Sequence, residues 1–118
     1  MNIVLVSFGY RYGKPKADII ISARKLPNPW CINNLRKLNG TNWKVHDYVV
    51  NTKVGREFVD KAFNCIIELA KKRQDILVAI GCIGGKHRSV AIVCELYDML
   101  VIHGIVSSKK HRDMKRKT

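Results

Sequence analysis

Apolar residues fall along this chain in two kinds of run: short unbroken stretches and longer periodic ones. Residues 2–7, 17–22 and 76–80 are short, rich in Val, Ile and Leu, and bounded by polar residues or glycine. That is the pattern of strands in a parallel sheet covered on both faces. Residues 53–73 instead repeat apolar side chains at helical spacing, with Val54, Phe58, Ala62, Ile66 and Leu69 on the expected buried face. Glu57–Lys61 and Glu68–Lys72 are the i,i+4 ion pairs expected on the other. Residues 90–102 are apolar nearly all round, with only Glu95 and Asp98 charged, which places this helix in the interior. Shorter helices are expected over 31–38, ended near Gly40, and from a Thr41 cap through 49. Gly104 stops the interior helix, and 105–107 open a last short strand.

Two segments resist regular structure. Residues 8–15 hold two glycines, two tyrosines and a proline. Residues 26–30 carry Pro27 and Pro29, each of which removes a backbone donor and restricts its predecessor. Strands separated by helices imply a single α/β domain, a largely parallel sheet flanked by helices, over 1–108. A basic tail, 109–118, carries six Lys or Arg in ten residues. In such a sheet ligands gather beyond the carboxyl ends of the strands. Ser7-Phe8-Gly9, Ser22-Ala23-Arg24 and Cys82-Ile83-Gly84 each follow an expected strand. They are expected to converge, with Arg11, Arg24, Asn28, Lys86, His87 and Arg88 around one pocket.

The central strand leads directly into the most chemically loaded stretch. Gly81, Gly84, Gly85, Lys86, His87 and Arg88 fall within eight positions, and Ser89 follows at the helix start. Unpaired backbone N–H groups at a helix start point outward, and the helix dipole adds positive potential. Glycine lets the backbone approach a phosphate closely. The three basic residues would add full charge, and an arginine grips two oxygens at once. Either this is an anion site or it is a tight turn whose basic residues face water. His87 is expected either to donate to a phosphate or to bond a backbone carbonyl.

Composition narrows the classes. Net charge is +13, with 22 Lys and Arg against nine Asp and Glu, and it is clustered. That suits a polyanion such as RNA, through counterion release, or else a solvated surface. Lys71-Lys72-Arg73 suits a helix carboxyl end. Trp30 and Trp43 are of the type that stacks on unpaired bases or completes a core or a subunit interface. No apolar run reaches the ~18 residues of a membrane span, and Met1 to Val6 reads as a strand, not a leader. Cys31, Cys65, Cys82 and Cys94 lack the spacing of a zinc site, and Cys65 and Cys94 are expected as core thiols in a reducing cytoplasm.

Three chemistries compete for the central loop. A Walker loop fails, because its first glycine would stand at Ile80 and its Ser/Thr at His87. Cys82, five residues, Arg88 and Ser89 match the C-x5-R-[ST] spacing of a cysteine phosphatase, in which a thiolate attacks phosphorus while the arginine holds the oxygens. Its acid would have to be Asp47, Asp75 or Asp113. Binding without turnover needs only the donors already named, so a non-catalytic domain is expected, with no cofactor.

Five blocks, residues 7–13, 24–29, Leu35-Arg36-x-Leu-x-Gly40, 79–90 and His111-Arg112-Asp113, resemble in order the C-terminal domain of the RNase adapter protein RapZ and its relatives. The resemblance implies an α/β fold likened to phosphofructokinase halves and oligomeric association. It implies binding of small RNA for presentation to an endoribonuclease. It also implies a glucosamine-6-phosphate pocket on the glycine-rich loop. By position it brings Gly84, Gly85, Lys86, His87 and Arg88 into the pocket, with Ser7, Arg11, Arg24, Asn28, Cys82, Ile83 and Ser89 in or beside it. The family's RNA-binding basic end matches Lys115, Arg116 and Lys117, and the charge of the tail adds Lys109, Lys110, His111 and Arg112 as expected RNA contacts. The family's N-terminal Walker-type domain has no counterpart in these residues, so ATP binding is not expected. Ile83, Ser22 and Trp30 stand where the family usually has Thr, Asp and, in some members, His.

Overall fold

A computed structural model describes residues 2–116 of the chain. Four parallel strands, β1 (Asn2–Gly9), β2 (Ile19–Ser22), β3 (Asp75–Cys82) and β4 (Ser107–His111), stand in the order β2-β3-β1-β4. The helices are α1 (Asn33–Arg36), α2 (Trp43–Val50), α3 (Lys53–Ala70) and α4 (Arg88–Ile102). The α/β fold with an all-parallel sheet is the one expected from the run pattern.

Register explains why the two inner strands carry the apolar runs. Asn2 to Gly9 pair one for one with Asp75 to Cys82. Ile3, Leu5, Ile76, Val78 and Ile80 are thereby buried, each contributing about 1.5–3 kcal/mol relative to exposure. Interior helix α4 packs on β1, β3 and β4, and its Ala91, Ile92, Val93, Leu96 and Leu100 are fully buried. Because all strands are parallel, the ends of β1, β2 and β3 lie on one edge, at Gly9, Ser22 and Cys82.

The structure changes the expectations for the last strand, α3, two cysteines and the first helix. The last strand is Ser107–His111, so Lys109 to His111 of the expected tail lie in the sheet. Gly104, at φ 73°, closes α4, and the Ile105 N–H turns back to Leu100 O. Pairing with β1 therefore starts after the apolar residues. An edge strand needs no apolar run and is protected from further pairing by lysines. The buried face of α3 is Gly55, Val59, Ala62, Ile66 and Ala70, whereas Val54 is exposed. Small residues win this face because α2 approaches closely. A Cβ on Gly55 would lie 2.2 Å from Val49 O. Glu68 pairs with Lys71 at 2.9 Å rather than with Lys72. Cys65 is exposed and Cys94 only half-buried, so neither is a core thiol. The expected helix over 31–38 splits into a 3-10 turn, Pro29–Cys31, and the single turn of α1.

Candidate anion-binding site

The turn after β3 is shaped by one close backbone contact. Gly85 adopts φ 74°, and an added Cβ would lie 2.5 Å from Gly9 N. Two chain segments meet here with no side chain between them. The Arg11 N–H donates to Ile83 O at 3.1 Å and ties the 3-10 turn after β1 (Tyr10–Tyr12) to the same loop. The Gly40 N–H donates to Lys86 O at 2.9 Å, fixing the other side. Among the described residues, the backbone N–H groups of Gly84, Gly85, Lys86 and His87 donate to no protein acceptor. Four consecutive unpaired donors leading into a 15-residue helix give this loop its positive potential.

Beside the loop lies a cavity of about 410 Å³. Cys82, Ile83, Gly84 and Lys86 line one side, and Arg11, Asn28 and Trp30 line the rest. Arg88 also reaches it, though the residue is only 5% exposed. Its Nη1 donates to Arg24 O at 2.6 Å, which fixes the 24–26 segment. Among the described residues no other atom of this guanidinium has a protein partner, so its remaining N–H groups are available to the cavity.

Of the other expected pocket residues, Ser7, Arg24, Gly85 and Ser89 do not line the cavity, whereas Asn28 and His87 do. Arg24 is exposed, its guanidinium stacked 3.8 Å from the Tyr10 ring centroid and bonded to Ser22 Oγ. Asn28 caps the Pro29–Cys31 turn, its Oδ1 accepting from the Trp30 N–H at 3.1 Å. Ser7 is fully buried and bonds His111 Nδ1 at 2.7 Å. Ser89 is buried beneath Cys82, donating its N–H to the sulfur at 3.4 Å. His87 touches the cavity, but its Nε2 is committed to Arg36 O at 3.1 Å, which is the carbonyl-bonded alternative. As a carbonyl only accepts, Nε2 carries the proton in the neutral ring.

The expected RNA-binding cations divide in the same way. Lys109, Lys110 and Lys115 are exposed. Arg112 and Arg116 both bond Asp113, at 2.8 and 2.7 Å. Arg112 also donates to Gly13 O at 2.7 Å, and Arg116 lies over the Tyr12 ring. Lys117 lies outside the described residues. Sequence reasoning passed over Asp113 as more than a possible acid. It is 1% exposed, and its Oδ2 accepts the Gly9 N–H at 2.8 Å. Its sequence signals were its place in the His111-Arg112-Asp113 block and its isolation as the one acidic residue among six basic ones.

Burial pushes the pKa of His87 below the usual range, against the pull of the Arg36 carbonyl. Burial, with Lys109 adding repulsion, lowers His111 too. A lowered folded-state value makes the unfolded chain bind more protons. These histidines therefore contribute stability above their unfolded pKa of about 6.5, which is lost as pH falls through the lowered folded values. Urea midpoints are expected to drop between pH 7.5 and 5, with His87→Gln reducing the drop. An unchanged midpoint would contradict the assignment.

A model of the RapZ C-terminal domain family matches residues 1–115. Among curated relatives, a nucleotide-binding protein of Caldanaerobacter subterraneus subsp. tengcongensis is 42% identical over 95% of this chain. Another from Caldicellulosiruptor saccharolyticus is 37% identical over 98% of it. A third, from Streptomyces coelicolor, is 37% identical over 98%. The chain spans only 41–42% of the length of these three relatives.

Proposed function

The chain belongs to the RapZ C-terminal domain family, and from the pocket it builds we propose that it is a non-catalytic regulatory domain that binds the phosphate of a phosphorylated ligand. Arg88 carries this reading. It is a nearly buried arginine that spends one nitrogen on the fold and keeps the others at a cavity lined also by Gly84, Lys86 and His87, whose backbone N–H groups have no protein acceptor among the described residues. Lys86 and Arg11 add charge at the cavity wall. The relatives are themselves named nucleotide-binding proteins, so phosphorylated small molecules are the natural probes.

Phosphatase chemistry is the weaker reading, although Cys82 and Arg88 share the cavity. None of the three expected acids serves it. Asp75 starts β3 at the opposite edge, and Asp47 accepts from Asn51 on α2. Asp113 is held ionised by its arginines and the Gly9 N–H despite its burial.

Calorimetric titration separates these ideas. Glucosamine 6-phosphate and inorganic phosphate are expected to bind, and glucosamine not. Lys86→Ala with Arg11→Ala is expected to weaken binding about tenfold or more, as for loss of charge-assisted hydrogen bonds. Equal behaviour of glucosamine and its phosphate would overturn the reading.

A second observation favours RNA as a macromolecular partner. Lys109 and Lys110 stand exposed on β4, the outer strand beyond β1, and Lys115 is exposed further along the same segment. Lys109→Glu with Lys110→Glu is expected to reduce both hairpin-RNA affinity and its salt slope in fluorescence anisotropy. An unchanged slope would remove RNA from this surface.

A further inference from the structure

The cavity has an apolar rim that a phosphate alone does not use. Trp30 is 47% exposed and Ile83 is 45% exposed, and both line it. Apolar and aromatic side chains on the wall of a concave pocket offer contact area to a ligand's apolar part. Trp30 is also held in place. Its backbone N–H donates to Asn28 Oδ1, its backbone carbonyl accepts from Arg36 Nε at 2.7 Å, and the Arg36 guanidinium lies 5.4 Å from its ring centroid. A cation beside the ring helps to hold the indole in place, and the exposed part of Trp30 is available at the cavity wall. Fixing the ring in advance lowers the ordering cost of stacking on it.

We propose that the pocket takes a phosphorylated ligand bearing a planar aromatic ring, a nucleoside monophosphate in its simplest form. Its phosphate lies on Arg88, Lys86 and the Gly84–His87 loop, and its base stacks on Trp30 with Ile83 at the edge. This rests on the phosphate-pocket reading above and adds the ligand's second half. A volume of about 410 Å³ falls within the ~300–1,000 Å³ range of small-molecule sites. A bare sugar phosphate would leave Trp30 and Ile83 in water. Base–aromatic stacking tolerates any base, because every base has a π-face, so modest discrimination among bases is expected.

The experiment uses the full chain carrying Trp43→Phe. Trp43 is 71% exposed on α2 and lines no part of the cavity, and its removal leaves Trp30 as the sole indole. Adenosine monophosphate, ribose 5-phosphate and inorganic phosphate are titrated by Trp30 fluorescence and by calorimetry. The nucleotide is expected to quench Trp30 saturably and to bind about tenfold more tightly than ribose 5-phosphate. Trp30→Ala, read by calorimetry, is expected to erase that difference while phosphate affinity stays. Equal affinity for the nucleotide and ribose 5-phosphate, without quenching, overturns the stacking proposal and leaves the phosphate pocket standing. Failure of all three ligands overturns both. A Trp30→Ala chain that still favours the nucleotide about tenfold overturns the role of Trp30 itself.

Discussion

Replacing Gly85 by alanine is expected to collapse the pocket and cost about 3 kcal/mol or more of stability, the sum of two penalties. The first is conformational. Gly85 sits at φ 74°, where an L-residue pays about 1–2 kcal/mol. The second is steric. A Cβ there would lie 2.5 Å from Gly9 N and 2.7 Å from the Phe8 carbonyl carbon, both backbone atoms of β1 that cannot rotate aside. Overpacking of that kind adds about 1–3 kcal/mol. Gly84 is the matched control, since its φ is not positive and nothing lies within 4 Å of an added Cβ. Urea unfolding of the two variants checks the argument. Gly85→Ala is expected to move the midpoint strongly and to lose phosphate binding, and Gly84→Ala to leave the midpoint near that of the parent. Equal midpoints would mean that the loop does not pack on β1 as described.

Asp113→Ala carries the next largest expected effect, about 2–4 kcal/mol, as for removal of a buried, hydrogen-bonded carboxylate. The side chain is fully buried and joins three chain segments. It accepts the Gly9 N–H at the end of β1 and bonds Arg112 and Arg116. Through Arg112 it also holds Gly13 O. Both arginines are partly exposed, so they regain water when the carboxylate is lost, and the effect stays below that of a wholly dry pair. Burial raises the carboxyl pKa, but the bonds from Arg112, Gly9 and Arg116 outweigh it and hold the value below the ordinary range. A lowered carboxylate contributes stability above its unfolded pKa of about 3.9, and that contribution is lost as pH falls through the folded value. Asp113→Asn is therefore expected to flatten the acid limb of the stability curve and to be milder than alanine, because one acceptor for Gly9 remains. Thermal melts from pH 6 to pH 3 distinguish these outcomes. An alanine variant as stable as the parent would contradict the clasp.

The parallel sheet was legible because buried strands must be apolar on both faces, and residues 76–80 satisfy that without interruption. The pocket's place was legible from topology alone, since parallel strands bring Gly9, Ser22 and Cys82 to one edge. What charge meant at each position was not. Arg88 read as a phosphate grip and His87 as either a phosphate donor or a carbonyl-bonded ring, but neither pattern showed that both are nearly buried, nor which backbone they bond, the 24–26 segment for Arg88 and α1 for His87. Those acceptors lie 51 and 64 residues away in sequence, and no local pattern announces them. The last strand was misplaced for a related reason. An edge strand of Ser and Lys is stabilised by its ladder to β1, which a hydropathy pattern does not record. Asp113 was read as a tail residue or a possible acid because only the fold brings it against Gly9.

The central claim is that the loop after β3 receives a phosphate group, and amide NMR reads it most directly. Inorganic phosphate is titrated into the ¹⁵N-labelled chain at constant ionic strength. Saturable shifts are expected at the Gly84, Gly85, Lys86 and His87 amides, with a change at the Arg88 side-chain Nε–H, and Lys86→Ala is expected to weaken them. Shifts confined to Lys109, Lys110 and Lys115, or no saturable shift at the loop, would contradict the account.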